Sequence, residues 1–455
     1  MLRFWDALDE GEQREFAAQL AAVDWHGLPE LQRLVAARRS AAGIPATAVP
    51  DLAAARTPPC LVLGGHRNAI PATDAMHRGE QALREGLVGA ILVAGGQGSR
   101  LGCNGPKGLY KVGPVSQASL FELLLGKLVA VRRRFGRDVP LAIMTSSATD
   151  AGTREFLAAH RHCGLDPAQV LVFQQQDLPA LDDTSGNLLL DSPGRLAMAP
   201  DGHGGMLVAL AKCGGLDWFR RQGVAHVTSF QVDNPLAMPL NREFLGYHLL
   251  SGAEFSTQVV RKREPAERVG VVVEADGVHR IVEYSDLPAA SAAEQLPDGT
   301  LKFHAGSIAV HAFQTAFLER AAASTAALPL HVAHKAVPFL DDAGARVVPK
   351  APNAIKFERF IFDLMPVAKR VCVVEIDPAD GFAPLKNPPG AAVDAPEHVH
   401  AALVDHARRL LHRAGVGVAD GIDVELAADV ILDEEDVRST LPAGATIREP
   451  TVVGG

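Results

Sequence analysis

Residues 91–113, ILVAGGQGSRLGCNGPKGLYKVG, set an uninterrupted apolar run directly against a glycine-rich turn. Such a run suits a parallel strand covered on both faces. Gly95, Gly96 and Gly98 then let the chain turn sharply and approach a ligand without a Cβ in the way. N–H groups gathered in such a turn suit phosphate oxygens. Arg100 and Lys107 add two cations, and Pro106 stiffens the approach to the second. Paired cations beside a phosphate cradle point to a polyphosphate with charge developing on a leaving group. Without them, the glycine cluster would read as a structural turn. Two other glycine loops fit badly. A dinucleotide G-x-G-x-x-G needs glycine where Leu101 stands, and a P-loop needs glycine before its lysine and Ser or Thr after it, whereas Lys107 lies between Pro106 and Gly108.

The surrounding pattern is α/β. A helix over QALREGLVGA leads into the first strand, and the apolar runs LAIMTS, QVLVFQQ, HVTSFQVDN and EFSTQVVRK follow, with a helix over TREFLAAHRHCG between the first two. This alternation predicts a doubly wound sheet. Residues 269–286, VGVVVEADGVHRIVEYSD, differ: two β-rich runs flank Asp276-Gly277, a strong hairpin signal. Residues 1–44 read mostly as helices, and residues 45–71, rich in Pro and Gly, as a connector. The tail after about residue 395 combines a helix with short valine-rich segments. The expected division is 1–72 (helical region and connector), 73–390 (catalytic domain) and 391–455 (small C-terminal module).

A net charge of −9 argues against general nucleic-acid binding, although an anionic substrate needs only a local basic pocket. The five cysteines are widely spaced, with no C-x-x-C pair, and read as reduced thiols. No apolar run reaches the ~18–20 residues of a membrane span, and MLRFWDALDE lacks a signal-peptide profile. A cytoplasmic location with no membrane or nucleic-acid partner is expected.

Several residues further along suit a nucleotide site. Asp233, in SFQVDNP, ends an apolar strand, where a carboxylate can hold Mg2+ with phosphate oxygens and waters completing the octahedron; a lone Asp there is more often a cap. Gln175, just past QVLVF, has an amide able to read a uracil edge, or is a turn residue. Glu283 and Tyr284 could accept from sugar hydroxyls and cover a sugar face, or lie on a surface strand. MAPDGHGGM, residues 198–206, is a second glycine-rich turn.

LVAGGQGSRLG followed by PKGLY resembles the signature loop of the eukaryotic-type UDP-sugar pyrophosphorylases, most of all the UDP-N-acetylhexosamine branch. The similarity continues in order through MTSSATDAGTREF, FQQQDLPAL, MAPDGHGGM, QVDNPL, VGVVVEADGVHRIVEYSDL, FHAGSIAVHAF, HVAHKAVPF, NAIKFERFIFD and FAPLKN, over roughly residues 1–390. The resemblance implies a nucleotide-diphospho-sugar transferase core, Rossmann-like and GT-A-like, with a doubly wound mixed sheet and helical N-terminal and small C-terminal extensions. It implies UTP and a sugar 1-phosphate as partners and Mg2+ as cofactor. Ala94, Gly95, Gly96, Gln175, Gly202 and Asp233 are then expected at the nucleotide. His203, Gly270, Glu283, Tyr284, His304 and Lys386 are expected on the sugar-phosphate side. Arg100, Lys107 and Lys356 are expected as catalytic cations.

The implied reaction joins UTP to the sugar 1-phosphate and releases pyrophosphate. Its nucleophile is already a phosphate oxygen, so alignment and charge neutralisation are needed rather than a general base. Two departures bear on the sugar. His203 replaces an asparagine of the acetylhexosamine branch, and His304-Ala305-Gly306-Ser307 replaces N-A-G-N. N-acetylglucosamine 1-phosphate is the first expectation and glucose 1-phosphate or broad specificity the alternative. A non-catalytic nucleotide-sugar binder is a third reading, which retention of Arg100, Lys107 and Asp233 disfavours.

Overall fold

The computed structural model describes residues 2–39, 50–103, 105–324 and 328–455. Residues 40–49, which include the end of the expected N-terminal helices and the start of the connector, lie outside the described residues. The chain divides into two compact units, each discontinuous in sequence. One comprises Asp51–Gln174, Leu210–Ser324 and Leu364–Gly455; the other comprises Met1–Pro50, Gln175–Ala209 and Thr325–Asp363.

The larger unit is built on a ten-stranded mixed sheet. In chain order its strands are β1 (Leu61–Val62), β2 (Val88–Val93), β3 (Leu141–Thr145), β4 (Val170–Gln174), β5 (His226–Gln231), β6 (Phe255–Arg261), β7 (Val271–Ala275), β8 (Val278–Val282), β9 (Ala305–Gln314) and β10 (Val371–Ile376). The spatial order is β1-β10-β6-β9-β5-β2-β3-β4, with the β7–β8 hairpin attached to β9. β9 runs antiparallel to both β5 and β6, and all other neighbours along this path are parallel. The carboxyl ends of β2, β3, β4, β5, β6 and β10 therefore lie along one edge, and β9 begins there. In open α/β sheets this is the edge that binds ligands.

The apolar runs became the central strands: every residue of β3 is buried, as are Val88–Leu92 of β2. The helix Leu120–Phe135 opens with a capping box between Ser119 and Glu122 and stops at Gly136, whose left-handed backbone favours glycine. The hairpin formed as expected. Ala275 pairs with Val278, leaving Asp276 (φ 52°) and Gly277 (φ 75°) as a two-residue turn with both angles positive.

Some boundaries moved. The helix expected over residues 81–90 spans Ala72–Arg84 and ends before Gly86, so Leu87 and the strand after it are free to extend. The connector contributes the short edge strand β1. The C-terminal stretch has a small core of its own, formed by Leu410, Leu411, Val416, Val424, Val437 and Val453.

In the smaller unit, the helices Glu10–Ala22 and Leu28–Arg39 bury Phe16, Val23, Leu31 and Val35 against residues from 181–198, 340 and 355–357. Its antiparallel sheet joins His331–Lys335, Ala354–Glu358 and Leu181–Asp182. No helix among the described residues is long and apolar enough to cross a membrane.

Candidate active site

At the carboxyl end of β2 the chain is fastened and then turned back on itself. Ala94 N–H donates to the Met144 carbonyl (2.8 Å), and the Ser146 hydroxyl donates to the Gly95 carbonyl (2.8 Å). Gly98 N–H then reaches the Gly105 carbonyl (2.9 Å), and Lys107 N–H the Gly96 carbonyl (3.0 Å). The glycine turn is thus a folded-back loop that returns Lys107 to its own start. Arg100 stands exposed on the short helical turn Ser99–Leu101, with no ion-pair partner among the described residues.

Lys107 points to the end of β5. Its Nζ lies 3.6 Å from Asp233 Oδ2 and donates to the Leu385 carbonyl at 3.3 Å. The two side chains are 17% and 15% exposed, so the pair is shielded but open at its tip. Leu385 N–H donates to the Asp233 carbonyl (2.8 Å), which places Lys386 one residue from this contact. Asn234, 3% exposed, completes the join: its Nδ2 donates to the Gly381 carbonyl (2.9 Å) and its Oδ1 accepts from Ala383 N–H (3.0 Å). The loops after β2, β5 and β10 therefore meet at Lys107, Asp233 and Leu385.

The hairpin is fixed to the start of β9. Ser307 N–H donates to the Gly270 carbonyl (2.8 Å), and a Cβ on Gly270 would lie 3.1 Å from a Glu283 carboxylate oxygen. Glu283 is half-buried and Tyr284 exposed. His304, half-buried, bonds through Nδ1 to the Leu301 carbonyl (3.0 Å), while its own carbonyl accepts from Lys262 N–H (2.8 Å).

The smaller unit carries Gln175, Gly202, His203 and Lys356. Gln175 is buried and directly follows β4. Adjacent main-chain bonds tie the next segments together: Asp201 N–H to the Gln176 carbonyl (3.0 Å), Arg359 N–H to the Asp201 carbonyl (2.7 Å), and Gly204 N–H to the Arg359 carbonyl (2.7 Å). Gly202 has φ +80°, and a Cβ there would stand 2.5 Å from the Arg359 carbonyl oxygen, so only glycine fits. Lys356, half-buried, lies on the strand that ends just before Arg359.

His203 stacks on Phe360, with centroids 5.3 Å apart. Burial, helped by the neighbouring His331, pushes its imidazole down to about 4. Its Nδ1 accepts from Ile361 N–H at 3.3 Å, so the neutral ring carries its hydrogen on Nε2 and offers only a donor. Asp201 is fully buried; this raises its carboxyl to about 7 although Arg359, 3.3 Å away, pulls the other way. Asp201, Asn234 and Arg359 carry only a faint signal in the sequence: each is a polar residue in or beside a candidate motif, with no pattern to show how far its side chain is buried.

A folded-back glycine turn, a strand-end aspartate and a lysine gathered on the carboxyl edge of a mixed sheet define a nucleotidyltransferase on a nucleotide-sugar-transferase-like α/β core. Comparison with known proteins sharpens this. Residues 67–390 match the family described as UTP–glucose-1-phosphate uridylyltransferase, and the chain belongs to that family. A Homo sapiens protein named UDP-N-acetylhexosamine pyrophosphorylase-like protein 1 is 37% identical over 432 residues, covering 92% of this chain and 84% of its own. The UDP-N-acetylglucosamine pyrophosphorylase of Saccharomyces cerevisiae is 36% identical over 358 residues, covering 77% of this chain and 75% of its own. Among solved structures, the uridine diphosphate N-acetylglucosamine pyrophosphorylase of Trypanosoma brucei has a TM-score of 0.81 at 26% identity, covering 97% of this chain and 94% of that one.

Proposed function

We propose that this chain transfers uridylate from UTP to N-acetylglucosamine 1-phosphate, forming the UDP-sugar and pyrophosphate in the cytoplasm. The observation that carries this reading is the Lys107–Asp233 pair, 3.6 Å apart at the mouth of the glycine turn. Relatives that cover most of the chain, and whose names specify UDP-N-acetylglucosamine pyrophosphorylase, support the same substrate. All five cysteines are free, as a reducing compartment would have them.

Asp233 is suited to Mg2+. Among the described residues no three His, Cys, Asp or Glu side chains cluster as a metal cage, but Mg2+ needs only one or two carboxylates when substrate phosphates supply the rest. Bound there, the ion would neutralise charge on the phosphates. The chain's own residues do the rest. N–H groups of Gly95 and Gly96 cradle phosphate beside Ala94, whose own N–H is held by Met144, and Gln175 and Gly202 receive the base. Gly270, Glu283, Tyr284, His203 and His304 hold the sugar, with Lys356 and Lys386 on the phosphates. A sugar-phosphate oxygen attacks the α-phosphorus, and the bond to the β-phosphate breaks. Lys107 and Arg100 then meet charge developing on pyrophosphate.

One observation favours a second reading. An asparagine at position 203 would offer both a donor and an acceptor, but His203 offers only Nε2–H because Ile361 occupies Nδ1. Glucose 1-phosphate or a broader substrate range would be consistent with that. Pyrophosphate release from UTP and Mg2+ over a panel of N-acetylglucosamine, N-acetylgalactosamine, glucose and galactose 1-phosphates decides, with kcat/KM as the measure. Highest kcat/KM on N-acetylglucosamine 1-phosphate supports the first reading. Highest on glucose 1-phosphate supports the second, and binding of UTP with no release on any member overturns both.

A further inference from the structure

Lys262 follows β6 and is 3% exposed. Its N–H extends the ladder to the His304 carbonyl, but its ammonium has no hydrogen bond or ion pair among the described residues. Burial depresses its pKa, and the charge of Glu267 offsets this only in part. Arg261, on the opposite face by strand alternation, behaves as a structural cation should, with two bonds of 3.0 Å to Glu375. The stem of the side chain is packed away, but the ammonium nitrogen is not among the fully buried polar atoms, so its tip opens to solvent. Among the described residues it has only the charge of Glu267 near it, and it follows the carboxyl end of β6, on the edge where ligands bind.

Its position indicates which ligand. β6 lies between β10 and β9 in the sheet. β10 leads into the segment bearing Lys386, and β9 begins after His304 and carries the hairpin with Gly270 and Glu283. The glycine turn after β2 lies beyond β5, on the far side of β9. We propose that Lys262 is a binding residue for the phosphate of the sugar 1-phosphate, and for the same group once it is the sugar-side phosphate of the product. The inference rests on the substrate reading above. It adds a residue that lysine frequency alone would assign to the surface.

The test is Lys262→Met, which keeps the shape of the side chain and removes its charge, with Lys262→Arg alongside. Calorimetric titration with UDP-N-acetylglucosamine and separately with UTP reads binding without requiring turnover. In Lys262→Met, affinity for the UDP-sugar is expected to fall roughly tenfold to a hundredfold, as for a lost hydrogen bond to a charged group, with UTP affinity within about twofold of wild type. The ligand-free melting temperature is expected to hold, because the ammonium makes no hydrogen bond or ion pair among the described residues and the Met side chain keeps the packed stem; Lys262→Arg should retain part of the UDP-sugar affinity. Unchanged UDP-sugar affinity would overturn the assignment. So would a fall in melting temperature with both ligands weakened together, the mark of a structural lysine. Wild-type protein that binds UDP-N-acetylglucosamine but releases no pyrophosphate contradicts the catalytic reading and leaves this comparison intact; wild type that does not bind it contradicts both.

Discussion

Lys107 Nζ stands 3.6 Å from Asp233 Oδ2, although the two residues lie far apart in sequence and reach each other from the ends of β2 and β5. β2 and β5 pair in parallel from Val88–His226 to Val93–Gln231, so their carboxyl ends are forced together. The lysine then needs only the fold-back of the glycine loop onto Gly96 to meet the carboxylate. A cation and a hard anion held this close, with tips open, are arranged for a ligand that bears phosphate and brings a divalent cation.

Asn234 should matter to both stability and substrate. Asn234→Ala leaves the Gly381 carbonyl and Ala383 N–H without their partner in a buried site, at about 1–3 kcal/mol for each unsatisfied group. Urea denaturation should show that loss. Activity on the sugar phosphate should also fall, because the join between the Asp233 and Lys386 segments is loosened. A variant as stable as wild type would contradict the role given to this amide.

Gly202→Ala tests the second glycine turn. The new Cβ would press on the Arg359 carbonyl from a left-handed backbone, and the turn must shift by more than a side chain can absorb. A destabilisation of about 1–3 kcal/mol is expected, together with weaker UTP binding by titration. Normal UTP affinity would remove Gly202 from the nucleotide site.

These cases mark what sequence alone carries. The apolar run of β2 and the Asp276-Gly277 hairpin are written locally, in spacing and in residues that tolerate positive φ, and so is the glycine-rich turn, although Gly102 and Gly105, not Gly95, Gly96 or Gly98, carry its positive angles. The joining of Asp233 to Leu385 depends on strand order, which no local pattern encodes. The gathering of residues 1–50 with 175–209 and 325–363 is likewise a product of long-range packing. Lys262 was unreadable for a different reason: a lysine is ordinarily solvated, and only burial reveals one whose stem is packed away.

Acid should destabilise the protein before carboxylates are neutralised in bulk. Burial holds His203 and His226 down to about 4 and His248 to about 3, all below the ordinary 6.5. The unfolded chain therefore binds more protons than the native one below about 6.5, so stability is full above that value and is lost as pH falls toward 4. Asp201 has the opposite sign: raised to about 7, its contribution is full below about 4 and fades as pH rises toward 7. Three histidines against one aspartate leave a net loss, and the urea midpoint should be lower at pH 5 than at pH 7. A higher midpoint at pH 5 would show these histidines to be protonated in the fold.

His203→Asn should restore an acceptor on the sugar side. The ratio of kcat/KM for N-acetylglucosamine 1-phosphate over glucose 1-phosphate is expected to rise, by roughly tenfold for one gained hydrogen bond of about 1–1.5 kcal/mol. An unchanged ratio would move the discrimination to His304 or elsewhere on the hairpin.

Lys107→Ala, followed by steady-state pyrophosphate release with UTP, Mg2+ and N-acetylglucosamine 1-phosphate, addresses the centre of the account. Loss of a cation that acts on the departing charge should lower kcat by roughly a hundredfold or more. The melting temperature should barely change, since one partly open ion pair adds little to stability. Turnover close to wild type in that variant would contradict the role of the glycine loop and its lysine.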